Sequence, residues 1–303
     1  MVKNKLLITG INGFVGVNLT SLLGLGYTLY GLDIINRPNN SIVETIHWDV
    51  IERVPKCDIV LHLAGKAHSV PKTAEEEHVF YDVNLGLTKK LCAALEQRGT
   101  PKSFIFVSTV AVYGLEEGEN ITEELPLLGN TPYALSKIQA EQFLVEWCSE
   151  HNVILTILRP SLIAGPNPPG NLGAMIQGIK TGKYLNIGGG KARKSVLMVQ
   201  DIANLLPLVA LKGGVYNICD SNHPSFSELE RIICKQLNKP EVFSMPLFLA
   251  KVIAKIGDAL GSRAPINSDK LSKITKSLTF SNEKAKRELG WQPLDVIDNF
   301  KIN

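Results

Sequence analysis

Thr9-Gly10-Ile11-Asn12-Gly13-Phe14-Val15-Gly16 follows directly on the apolar run Leu6-Leu7-Ile8. A strand that ends in closely spaced glycines and runs into a helix leaves free backbone N–H groups at the helix start. These, with the helix dipole, favour a phosphate there. The turn therefore reads as a pyrophosphate cradle built from Gly10, Asn12, Gly13, Phe14, Val15 and Gly16. Its spacing, G-x-x-G-x-x-G, shares the mechanism but not the lettering of the G-x-G-x-x-G fingerprint. The competing reading is a tight strand-to-helix turn that uses glycine for positive φ alone.

Outward from this turn, short apolar runs at 6–9, 28–33, 45–49, 58–63, 103–108 and 154–159 alternate with helical patterns through 22, over 75–97 and over 132–151. The alternation predicts an α/β fold, a Rossmann-like doubly wound parallel sheet covered on both faces. After Arg159 the pattern breaks at Pro160, Gly165-Pro166, Pro168-Pro169-Gly170 and Gly188-Gly189-Gly190. A smaller, mixed α/β substrate-binding region is expected there. The expected division is 1–160 for the dinucleotide domain and 161–303 for the second region, allowing some segments of the latter to return to the first. Within the second region a helix is expected at 201–209, a strand at 215–218, and a helix at 225–237 opened by a capping box at Ser225 and Glu228. Leu249, Val252, Ile253, Ile256 and Leu260 recur at helical spacing, with Lys251 and Lys255 on another face. A core-packing helix is expected, the other reading being a partner or membrane-surface helix.

Across the 303 residues, 45% are hydrophobic, enough for a substantial core. Basic and acidic residues number 32 and 29, without a basic run, which argues against nucleic acid and for a small-molecule partner. Five scattered cysteines without a C-x-x-C pair suggest neither a disulfide framework nor a metal site, and fit a reducing, cytoplasmic compartment. No signal peptide and no membrane span are expected.

In a doubly wound sheet the ligand lies beyond the carboxyl ends of the strands. Asp33 ends the second strand, where a carboxylate can accept from the adenosine ribose hydroxyls and favour NAD over NADP. Arg37 works against that preference, and Asp33 can also be a loop cap. Asp49-Val50 closes the third strand and can bracket the adenine. Tyr133 and Lys137 lie four apart after Thr131-Pro132, on one helix face. A nearby ammonium favours the phenolate, so the pair can transfer a proton, although the same spacing also describes an ordinary exposed face. Thr109 ends the buried strand before Val110, where it can hold a substrate hydroxyl against the Tyr133 phenol.

Taken together, these motifs resemble the extended short-chain dehydrogenase/reductase family, in its nucleotide-sugar epimerase, dehydratase and reductase group. T-G-x-x-G-x-x-G is met by Thr9, Gly10, Gly13 and Gly16, and H-x-A-[AG] by His62, Ala64 and Gly65. Asn84 and Thr88 loosely match N-x-x-G-[TL]. Ser108, Thr109, Val112, Tyr113 and Gly114 match S-[ST]-x-x-V-Y-G, and Tyr133 and Lys137 match Y-x-x-x-K. Arg159-Pro160, Gly165-Pro166 and the run 288–293 resemble R-P-x-x-x-Y-G-P and L-G-W-x-P. The resemblance implies NAD(H), with NADP the lesser alternative, and a nucleotide sugar between the two regions. It adds Leu63, Ala64, Gly65, Asn84, Val107 and Pro160 to the cofactor-binding set, together with Tyr133 and Lys137. Tyr133 is then the acid/base, Thr109 orients the sugar and Lys137 tunes Tyr133 and holds the nicotinamide ribose. Asn171-Leu172 and Arg193-Lys194 are implied at the nucleotide diphosphate, the basic pair alternatively being a solvated loop. A homodimer and a place in polysaccharide biosynthesis are implied by the resemblance alone.

Two departures matter. Val110 and Ala111 stand where sugar 4,6-dehydratases carry acidic residues, so the acid and base for water loss are missing. Ala164 replaces the tyrosine of R-P-x-x-x-Y-G-P. The expected activity is 4-epimerisation of a UDP-hexose or UDP-N-acetylhexosamine through transient oxidation at C4. The alternatives are an NAD(P)H-dependent 4-keto reductase of a deoxy sugar nucleotide and a non-catalytic nucleotide-binding regulator.

Overall fold

The computed structural model describes residues 3–67, 69–260 and 267–302. In chain order its first half comprises β1 (Lys5–Thr9), α1 (Phe14–Gly26), β2 (Thr28–Asp33), β3 (Ile42–His47), β4 (Ile59–His62), α2 (Ala74–Tyr81) and α3 (Leu87–Arg98). β5 (Ser103–Val107), β6 (Gly118–Ile121), α4 (Pro132–Glu150) and β7 (Ile154–Pro160) follow. The second half runs β8 (Leu162–Ala164), α5 (Gly170–Lys180), β9 (Asn186–Ile187), β10 (Val196–Met198), α6 (Gln200–Lys212) and β11 (Gly214–Ile218). It continues with α7 (Phe226–Gln236), β12 (Ser244–Met245), α8 (Leu247–Leu260), α9 (Ser268–Thr275), β13 (Leu278–Phe280), α10 (Glu283–Leu289) and α11 (Val296–Asn299).

Seven strands form one parallel sheet in the order β11-β7-β5-β4-β1-β2-β3. Such strands are sealed on both faces, and Leu6–Ile8 and Phe104–Phe106 are accordingly fully buried. Helices α1 and α6 supply the core on one face, α3 and α4 on the other. The strand order turns outward in both directions from β1 and β4, which puts the ligand crevice at their carboxyl ends, beside Thr9 and His62.

The expected helix over 75–97 is interrupted: α2 and α3 are joined by a wide π turn, Asp82–Gly86, with Asn84 at its centre. The expected strand at 45–49 instead spans Ile42–His47, and the chain then coils into a short 3-10 segment, Trp48–Arg53. The Ser225–Glu228 capping box opens α7 as expected. Beyond residue 160, β11 joins the main sheet and α6 covers it, while β8, β10, α5, α7 and α11 enclose a separate, smaller core. All five cysteines are buried and free.

Helix α8 forms, but the expectation that its large apolar residues pack inward is corrected. Only Ala250, Ala254 and Gly257 face the body, whereas Leu249, Val252, Ile253 and Ile256 face solvent. The side chain of Leu260 lies outside the described residues.

Candidate functional site

The glycine turn is built by close approach. Gly10 has φ +66°, and a Cβ there would stand 2.9 Å from the Ala64 backbone. A Cβ on Gly16 would stand 2.4 Å from the Ile11 carbonyl oxygen, so only glycine lets α1 start this near β1. Gly13 caps α1 without any side-chain hydrogen bond, which leaves the first-turn amides to a ligand. A cradle that any Cβ would fill, opening on a bare helix N-terminus, fits a dinucleotide pyrophosphate.

Behind the cradle the strand ends are tied together by one ordered chain. The Thr9 hydroxyl meets His62 Nδ1 at 2.6 Å, and its oxygen accepts from the Leu63 and Ala64 amides. His62 Nε2 reaches the Thr88 hydroxyl at 2.8 Å, and Thr88 donates to the Asn84 carbonyl. Since Thr88 spends its proton on that carbonyl, it accepts from His62, which fixes the Nε2–H tautomer and makes Thr9 the donor at Nδ1. Full burial lowers the His62 pKa to about 3, so the ring stays neutral and braces β1 to β4 and α3.

At the end of β2, Asp33 is buried and accepts from the Asn12 amide at 2.9 Å and the Ile35 amide at 3.1 Å. Asp33 thus holds the cradle as well as closing its strand, and each of its oxygens keeps a further acceptor site. Asp49 lies just past the end of β3 rather than closing it, in the 3-10 segment, with its side chain 85% exposed and close to His47. Val50 is half-buried and lines a cavity of about 510 Å³ along the β3 edge with Arg37 and Arg53.

Helix α4 begins at Pro132 behind the Thr131 cap and carries Tyr133, Lys137 and Glu141 on successive turns of one face. The half-buried Tyr133 phenol lies near the Thr109 side chain and packs beside the buried Phe80 ring. The Thr109 oxygen also accepts from the Ala111 amide, which fixes its side chain. Lys137 is buried, donates from Nζ to the Val107 carbonyl at 2.9 Å and sits over the Phe106 ring. A Cβ on Gly65 would stand 3.3 Å from that Nζ, so the glycine gives the ammonium its room.

The expected direction of the Tyr133 pKa is corrected. Burial raises it, and the group that lowers it is the Thr109 hydroxyl rather than Lys137. The lysine is aimed at Val107 and Phe106. Its own pKa is lowered to about 8 by burial, with Glu141 working in the opposite direction.

Among the remaining expected ligand residues, some are already held by protein partners. Asn84 is fully buried, accepting from the Lys66 amide and donating to the Lys66 carbonyl and to Ser136, so it clamps the Gly65-Lys66 loop to α4. Leu63, Ala64, Val107 and Pro160 end or follow β4, β5 and β7 at the crevice, where their backbone defines its wall. Asn171 is exposed in the first turn of α5, while the Leu172 side chain belongs to the second core. Arg193 is committed to the Asn222 and His223 carbonyls and to Glu228. Lys194 is half-buried, which lowers its pKa, with Glu116 as the opposing charge.

A cluster that the motifs quoted only in pieces stabilises the crevice floor. Arg159 pairs bidentately with Glu141, Nη2 to Oε2 at 2.6 Å and Nε to Oε1 at 3.1 Å, both side chains being buried. Ser108 donates to the same carboxylate, and Arg159 also reaches the Tyr113 hydroxyl, which donates to Asn217. Glu141, two turns beyond Tyr133 on the same face, escaped the sequence reading, although its helical spacing from Tyr133 and Lys137 is a signal that could have found it. Val110 and Ala111 lie in the turn beside Thr109, so the dehydratase positions carry no ionisable group. Among the described residues no cluster of histidine, cysteine and carboxylate side chains can hold a metal ion.

A parallel sheet with a glycine cradle at its switch point and a Thr-Tyr-Lys set at the adjoining strand end defines a dinucleotide-dependent enzyme of the short-chain dehydrogenase/reductase class. The chain belongs to the NAD dependent epimerase/dehydratase family, whose model matches residues 6–219. It is 30% identical over 252 residues to the N-acetyl-alpha-D-glucosaminyl-diphospho-ditrans,octacis-undecaprenol 4-epimerase of Escherichia coli O157:H7, covering 78% of this chain and 74% of that one. It is 28% identical to the GDP-6-deoxy-D-mannose reductase of Pseudomonas aeruginosa, over 77% of this chain and 80% of that one. The UDP-glucose 4-epimerase of Thermotoga maritima, solved with UDP-glucose, shares the fold with a TM-score of 0.75 at 21% identity, covering 97% and 95% of the two chains.

Proposed function

We propose that the protein is an NAD-dependent 4-epimerase acting on a UDP-hexose or UDP-N-acetylhexosamine. The observation that carries this reading is that Thr109 and Tyr133 bring their hydroxyls to one end of the crevice, with Lys137 one turn along α4 and no acid at the dehydratase positions. The two hydroxyls are placed to hold a sugar O4–H between them. Tyr133, entering the step as the phenolate, takes the O4 proton to become the phenol as C4 is oxidised, and returns that proton when C4 is reduced on its other face, so that protons balance over one cycle. NAD held by the cradle supplies the chemistry of accepting hydride from C4 and giving it back. Thr109 orients O4, and Lys137 contributes positive charge near the phenol side of the crevice when protonated. Asn171, at the first turn of α5, and Lys194 are the groups assigned to the diphosphate, Arg193 being engaged by its own carbonyl partners.

A 4-keto reductase is the second reading, favoured by the similarity to the GDP-6-deoxy-D-mannose reductase and by Arg37 and Arg53 along the β3 edge. The experiment offers the purified protein UDP-glucose, UDP-N-acetylglucosamine and the polyprenyl-diphosphate counterpart with NAD and no reductant. Interconversion of C4 epimers, read by proton NMR at H4, supports the epimerase. Stoichiometric oxidation of added NAD(P)H by a 4-keto sugar nucleotide, without epimer exchange, supports the reductase and overturns the first reading. We also infer a homodimer working in the cytoplasm on polysaccharide precursors, which rests on the family resemblance and the five free thiols.

A further inference from the structure

Helix α8 turns its apolar side outward. At about 100° per residue, Phe248, Leu249, Val252, Ile253 and Ile256 fall within about 140° of arc, and each is between 41% and 66% exposed. The opposite arc carries the small residues Ala250, Ala254 and Gly257, with the two alanines packed in a minor cluster with Leu271 of α9. Scattered exposed hydrophobics are ordinary, but five large ones contiguous on one helix form an interaction face. Phe243, just upstream of β12, adds a sixth at 72% exposure.

The charges bordering this face point to its occupant. Lys251 and Lys255 lie one turn apart along the Phe248 edge, both exposed, and neither has a hydrogen-bond or ion-pair partner among the described residues. The acid of α8, Asp258, is occupied by the Ser268 amide and hydroxyl. Two lysines against this one acid leave α8 with a net positive charge. Two copies joined through this face would bring four unpaired lysines to one rim, whereas lipid phosphates pair with them. Fourteen residues span about 21 Å, short of the ~30 Å hydrocarbon core, and no described helix is long and apolar enough to cross a membrane. Lying in the interface is the arrangement left to an apolar stripe with a basic border.

We propose that α8 docks the protein peripherally on an anionic lipid bilayer, with Phe248, Val252 and Ile256 at the acyl boundary and Lys251 and Lys255 among the headgroup phosphates. This goes beyond the catalytic reading and does not depend on it. The test is co-sedimentation of the full-length protein with vesicles of phosphatidylglycerol and phosphatidylcholine in equal parts, against phosphatidylcholine alone. Binding to the anionic vesicles that weakens with salt is expected. The Phe248→Ser/Ile256→Ser variant should lose at least ~10-fold in affinity, and Lys251→Glu/Lys255→Glu about fivefold or more per lysine. Both variants change exposed side chains, and an unchanged circular-dichroism melt establishes that they fold. Absence of binding to anionic vesicles, or binding that neither variant weakens, overturns the proposal. So does an oligomer, seen by light scattering, that the serine variant dissociates, because the face would then belong to a second copy.

Discussion

Tyr133 and Lys137 show what four-residue spacing does and does not specify. It placed both on one face of α4, yet the direction of the lysine is set by the Val107 carbonyl and the Phe106 ring, which are thirty residues away in sequence. Tyr133→Phe keeps the ring beside Phe80 and removes only the proton carrier, so turnover should fall by ~10²–10⁴-fold while the thermal midpoint stays near that of the wild type. Lys137 yields a second expectation through its depressed pKa of about 8. In the unfolded chain a lysine titrates near ~10.4, so between these values the unfolded state holds more protons and stability rises with pH. Below pH 8 both states are protonated and the full cost of burying the charge is present. Urea melts of wild type and Lys137→Met should therefore diverge from their neutral-pH difference in favour of the wild type by on the order of 2–3 kcal/mol as the pH is taken to about 10. A gap independent of pH would show that Lys137 titrates normally.

Two glycines of the same helix separate local propensity from fitted contact. Gly16 abuts the Ile11 carbonyl, whereas a Cβ on Gly26 would meet nothing within 4 Å. Gly16→Ala should displace the start of α1 and cut NADH affinity at least ~10-fold, since the first-turn amides carry the anion site. Gly26→Ala should leave that affinity unchanged, as measured by fluorescence titration of both variants. Across elements, the Glu141–Arg159 pair joins α4 to β7, and both partners are buried. Removing one charge by Arg159→Met strands the other, so a loss of about 3–5 kcal/mol is expected in chemical denaturation. The alternating strands, the Pro132 helix start and the Ser225 capping box were legible because each rests on neighbours in the chain. The Asp82–Gly86 π turn was not, because it is set by Asn84 reaching Lys66 and Ser136. Periodicity likewise identified α8 as a helix but not which side would meet water, since apolar spacing reads the same in either orientation.

At the scale of the molecule, the composition break at Pro160 marks where regular alternation ends, not where the first core is complete. Half of the buried residues on the α1 face come from beyond it, including Val199, Ile202, Leu205, Leu206 and Val209 around α6, Tyr216 and Ile218 of β11, and Trp291. β11 also supplies the edge strand beside β7, and its Asn217 receives the Tyr113 hydroxyl that holds Arg159. The crevice floor is thus finished by residues that follow the second region's first elements, as the chain returns to the sheet. Each large apolar side chain taken from water contributes about 1.5–3 kcal/mol, so losing this set removes on the order of 15 kcal/mol or more, which matches or exceeds the ~5–15 kcal/mol of net stability of an ordinary domain. A fragment ending at residue 160 should therefore fail to fold, even though it contains the entire glycine cradle, Thr109, Tyr133 and Lys137. Far-ultraviolet circular dichroism without a cooperative melt, and no NADH binding, are the expected results. A fragment that melts cooperatively and binds NADH would show instead that α6 and β11 are accessory to a self-sufficient first half.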